Sequence, residues 1–140
     1  MICSFLMQFY KQSAAATMKP SQHHEKFIRG LENFNSRKFF EAHEDWEEIW
    51  LAAPEPEKTF LQGLIQVAAA FHHYQRSNRS GAESLLASGI VKLTRFPKNH
   101  RGLALDELRE AAKQWARALG AGKDPGVGKL PRIRSSKRGD

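Results

Sequence analysis

The chain has 140 residues, with 22 lysines and arginines against 15 acids and a formal net charge of +7. That length suits one domain able to bury a core unaided, and 41% hydrophobic with 26% charged residues is a globular composition. A single cysteine, Cys3, excludes an internal disulfide framework and a cysteine-based zinc site, so a reducing, cytoplasmic setting is the default, and no apolar run approaches the roughly 20 residues that cross a bilayer.

Residues 1–22 read as an extension, either disordered or upstream of a true start at Met18. Ile2 to Tyr10 is apolar and Ala14-Ala15-Ala16 resembles a signal-peptide cleavage site, but no basic residue precedes the run and Lys11 and Gln12 interrupt it. The first helix is expected from Gln22 to Asn35, with Ser21 as N-cap and Phe27, Leu31 and Phe34 as its core stripe. His23 and His24, about 100° apart on the helix, read as surface residues. Asn35-Ser36 supplies a turn, and a second, acidic helix follows from Lys38 to Ala53.

On that helix Phe39, His43, Trp46 and Trp50 share one arc, Phe40, Glu44, Glu47 and Leu51 line its flank, and Glu41, Asp45 and Glu48 point to the opposite, water-facing side. Burying a carboxylate without a partner costs several kcal/mol, so His43 and Glu47 demand donors from a second element. Pro54-Glu55-Pro56 ends the helix. A third helix, expected from Glu57 to Asn78, is apolar on nearly every side and therefore central. Along one narrow strip it carries Gln62, Gln66, Ala69 and His73, the expected complement of His43 and Glu47, with His72 at the flank.

A fourth helix from Ala82 to Phe96 ends at Pro97, and a fifth runs from about Leu105 to the stop at Gly120 and Gly122. No segment alternates long enough to be a strand. The fold expected is all-α: an antiparallel bundle of about five helices over residues 23–120. Residues 121–140 are expected to be a flexible basic tail, with Lys129, Arg132, Arg134, Lys137 and Arg138 against Asp140 alone from Lys129 on. Such a tail is either plain solvated chain or an arm for nucleic acid or another acidic partner.

Phe40-Glu41-Ala42-His43-Glu44, with Glu47 and Trp50, and then Leu61-Gln62-Gly63-Leu64-Ile65-Gln66 form a paired signature, F-x-E-x-H-E-x-x-E-x-x-W and L-Q-G-L-I-Q. By it the chain resembles the family catalogued as the domain of unknown function DUF309, from roughly Phe27 to Leu119. The resemblance implies an all-helical bundle and no particular activity.

The candidate site is thus His43, Glu44, Glu47, Gln62, Gln66 and His73. Its plainest reading is a satisfied polar network, in which the glutamine amides hold Glu47 ionised. Its second is a pocket for a small-molecule or protein ligand. Its third is a divalent transition-metal site on His43, Glu47 and His73, with Glu44 or Glu47 as general base in a hydrolase or other acid/base enzyme. The pattern lacks the Glu-x-x-His pairs of di-iron bundles and the second histidine of H-E-x-x-H proteases. No serine or cysteine is placed as a nucleophile, and Arg95, Lys98, His100 and Arg101 make only a short basic cluster. A binding protein without catalysis is the first expectation and an enzyme the alternative.

Overall fold

The computed structural model describes residues 18–136; residues 1–17, the greater part of the expected extension, and the last four residues lie outside that range. Among the described residues five helices run in chain order: α1 Pro20–Asn35, α2 Phe39–Trp50, α3 Glu57–Gln75, α4 Arg79–Leu93 and α5 Leu105–Gly120. The helix boundaries differ from the expected ones by a few residues for local reasons. Proline favours the first turn, so α1 opens at Pro20 rather than Gln22, and the Gln22 side chain accepts a bond from the Lys19 N–H at 2.8 Å. Ser77 adopts a positive φ of 63° and ends the run of α3. Asn78 then caps α4, its Oδ1 accepting from the Gly81 N–H at 3.1 Å.

Side-chain contacts fix the helices as antiparallel neighbours. Phe34 packs edge-on to Phe39 across the first turn, while the Trp46 indole donates to the Phe27 carbonyl at 3.1 Å further along. Between α2 and α3, Phe39 meets Phe71 and the Lys58 ammonium lies 4.3 Å from the Trp50 ring centre. Between α3 and α4, Gly63 and Gly89 face each other so closely that a Cβ on Gly63 would sit 2.7 Å from Leu93 and one on Gly89 3.0 Å from the Gly63 carbonyl. Arg109 of α5 donates to the Leu93 and Phe96 carbonyls at 2.9 and 3.0 Å, satisfying the open end of α4. The core is one continuous cluster with Phe34, Trp46, Phe60 and Phe71 fully enclosed, and α3, with ten buried residues, contributes eight of them to it, as its all-round apolar sequence requires. Among the described residues no helix is long and apolar enough to cross a membrane.

Two expectations are corrected. A short antiparallel hairpin, β1 Asn99–His100 with β2 Leu103–Ala104, stands between α4 and α5 where no strand was expected, turned by Arg101 at φ 53° and Gly102 at φ 75°. Strands this short carry too few residues to show alternation. The segment after α5 is also packed rather than free. Through a 3₁₀ turn at Val127–Lys129 it passes Trp115, whose indole donates to the Lys129 carbonyl at 3.0 Å, and it buries Leu130 and Ile133. Asn35 then binds both backbone groups of Ile133, at 3.0 and 2.7 Å, and Ser135 bridges to Leu103. Two apolar residues in a glycine-rich basic stretch make no periodic pattern, which is why composition alone suggests an unpacked tail.

Candidate functional site

Helix α2 is covered by α1 on one side and α3 on another, so its polar residues fall into two separate groups. Asp45, expected to face water, is in fact 7% exposed and lies against α1. Asn33 donates to its carboxylate at 2.8 Å, and Lys26 approaches at 3.7 Å while also pairing with Glu48 at 3.2 Å. Burial pushes the Asp45 carboxyl above its ordinary range, with Asn33 and Lys26 pulling it back. The expectation for Asp45 fails because helical periodicity tells which residues share a face but not how many neighbours cover the helix.

The other group is His43, Glu44 and Glu47. His43 is 7% exposed and both glutamates are half-buried. Helical spacing places them around one imidazole: Nδ1 lies 3.8 Å from Glu44 Oε2 and Nε2 lies 4.0 Å from Glu47 Oε2. One potential ligand atom from each of the three lies within 4.8 Å of the others. Phe40 stacks on the His43 ring at 5.9 Å and meets His72 of α3 at 5.2 Å on its other contact. Burial, followed by the nearby His73, Arg76 and His43, lowers the His72 pKa, so this imidazole resists protonation.

The glutamine strip of α3 does not join this group as expected. Gln66 lies on the side toward α4, its Cβ 3.4 Å from where a Cβ on Gly89 would stand, and its Oε1 is buried with no hydrogen-bond partner. Gln62, half-buried, lies one turn earlier on the same side. His73 turns to the loop before α4, where its Nδ1 is 3.0 Å from the Asn78 amide. The side of α3 that meets α2 instead runs from Lys58 to His72, about four turns apart. A rotation of α3 by roughly one residue step, 100°, separates the expected strip from the observed one, and no single-helix pattern specifies that angle.

One imidazole and two carboxylates suit zinc, manganese or iron(II) by ligand type. All three come from a single helix, so the group is held by local backbone geometry and leaves the remaining coordination positions without protein ligands from α3. The basic tail offers less than its composition suggests, because Arg134 is paired with Glu107. Lys129 and Arg132 remain exposed.

Comparison with known proteins adds a likeness to one family and no activity. An 85-residue stretch is 37% identical to the "Uncharacterized protein YpuF" of Bacillus subtilis (strain 168), covering 59% of this chain and 49% of that protein. A 77-residue stretch is 32% identical to an "Uncharacterized protein" of Aquifex aeolicus (strain VF5), covering 54% of this chain and 23% of that one. The chain thus spans half or less of the length of these relatives. Residues 27–85, from α1 into α4, match the family described as "Domain of unknown function (DUF309)"; both halves of the paired signature fall inside the match, while α5 lies beyond it. Over residues 27–85, somewhat less than half of its length, the chain is similar to the DUF309 family.

Proposed function

We propose that the protein is a binding protein without catalysis, whose ligand is a divalent transition-metal ion taken by His43, Glu44 and Glu47. The observation that carries this reading is the convergence of three ligand atoms within 4.8 Å around a nearly buried imidazole. Ligand atoms around one such ion stand roughly 3 Å apart, given metal–ligand distances of about 2.0–2.2 Å. Each glutamate therefore has to move by about 1–2 Å, a shift available to a half-buried side chain by rotamer change. Gln62, Gln66 and His73 stay outside the set, and the single cysteine fits a cytoplasmic setting.

The same geometry argues against the hydrolase alternative. With His73 on the loop before α4, an ion held by this group needs both glutamates as ligands, and neither is left as general base. Metal content of the protein purified without a histidine tag, followed by zinc and manganese titration, is the test. The expected result is close to one equivalent bound at micromolar affinity, lost in His43→Ala with helicity unchanged. Less than about a tenth of an equivalent and no saturable binding by roughly 1 mM metal would leave the group as a structural network.

A further inference from the structure

A second site lies at the C-terminal end of α2, apart from His43, Glu44 and Glu47. There the start of α1, the α2–α3 connection and the turn of the hairpin enclose a half-open cleft of about 240 Å³. Its walls are apolar, with Ile49, Ala53 and Leu61 among them, and its polar lining consists of His23, Glu57 and Arg101. The polar groups are unequally matched. Glu57 is the acid of the cleft, and it is already engaged: one oxygen pairs with the Arg101 guanidinium and the other lies 3.8 Å from His100 Nε2. Arg101 is bonded to Glu57 through one terminal nitrogen while its plane lies over the Phe27 ring at 3.9 Å. A guanidinium has five N–H donors in a fixed fork, so several remain. His23 Nε2 is shielded from solvent and has no hydrogen-bond partner, a costly condition for a polar atom in a native fold.

With its proton on Nε2, His23 joins Arg101 so that spare donors outnumber spare acceptors, and the neighbouring charges are a matched ion pair. Such a lining favours an anion and disfavours an amine. The volume falls below the roughly 300–1,000 Å³ of sites for drug-sized ligands, which excludes a nucleotide or a peptide and fits a branched acid of a few carbons. We propose that this cleft binds a small carboxylate with an apolar body, its carboxyl group received by His23 Nε2–H and the free N–H groups of Arg101, and its body lying against Ile49, Ala53 and Leu61.

The experiment is a titration of the full chain, methyl-labelled at isoleucine and leucine, with isovalerate, isoamylamine and acetate, read at the Ile49 and Leu61 methyl signals. Isovalerate should give saturable shifts in the low-millimolar range, acetate should bind about tenfold more weakly for want of an apolar body, and isoamylamine should give none. His23→Ala should weaken isovalerate about tenfold. Arg101→Gln should weaken it at least as much, with helicity and melting temperature measured to separate lost binding from lost packing on Phe27. Because His23 sits in the first turn of α1 and is only half-buried, its variant keeps the test decisive should the arginine variant unfold. The proposal is overturned if isovalerate leaves both methyl groups unmoved up to about 50 mM, if isoamylamine binds equally well, or if His23→Ala leaves the affinity unchanged.

Discussion

Both sides of α2 carry acid out of bulk water, but they hold it in different ways. Asp45 depends on Asn33 and Lys26, twelve and nineteen residues earlier on another helix, so its environment exists only when α1 and α2 are docked. His43, Glu44 and Glu47 are brought together by the backbone of α2 itself. The first arrangement joins two helices, whereas the second is set by the i, i+1 and i+4 spacing within one helix. That contrast separates a polar group that depends on a helix pairing from one whose geometry is local.

The sharpest way to break the first side is Gly30→Ala. An added Cβ would lie 2.1 Å from the Trp46 Nε1 atom, and the indole is fully enclosed and bonded to the Phe27 carbonyl. Overpacking against so large a ring should cost about 3 kcal/mol or more, read as a lower urea midpoint with unchanged slope. Next comes Asn33→Ala, which removes the donor from a buried carboxylate and should cost about 1.5–3 kcal/mol. Replacing Asn33 with no measurable loss would mean that Asp45 does not depend on α1.

A smaller effect distinguishes Asp45 by pH. Its carboxyl is raised above the ordinary 3.8, chiefly by burial, so the folded protein holds that proton more tightly than the unfolded chain does. Its contribution is therefore greatest when protonated and declines as pH rises from the unfolded value through the folded one. Glu107 and Asp124, lowered by their bonds to Arg134 and Tyr74, act in the opposite sense and lose their contribution as pH falls. Asp45→Asn should consequently gain on the wild type as pH rises through that window in urea unfolding, and a difference independent of pH would mean that Asn33 and Lys26 offset burial in full. Smallest of all should be Glu47→Gln, which changes stability by less than about 1 kcal/mol while removing most of the zinc response in a titration. A large loss of stability from this variant would erase the distinction between the two sides.

Much of this architecture is legible in the amino-acid order. Pro54 and Pro56, the apolar stripe Phe27–Leu31–Phe34 and the all-round apolar character of α3 specify the first three helices and the central one among them, because helix stops and periodicity are local properties. The grouping of His43 with Glu44 and Glu47 is legible for the same reason. The rotation of α3 that carries Gln66 and His73 toward α4, the burial of Asp45 and the need for glycine at position 30 all depend on how two helices meet. The cleft around His23 and Arg101 draws on three separate segments, so two residues that look like ordinary surface side chains become neighbours only after folding.

Residues 130–135 reach back to Asn35 across 98 positions of sequence. During synthesis a chain folds as it emerges, so α1 through α5 can assemble while the seats for Leu130 and Ile133 stand empty. The closing segment arrives only once residues 130–135 have themselves emerged. Until these residues dock, the nascent domain presents greasy surface beside Trp115 and Asn35, and their arrival is the event that seals it.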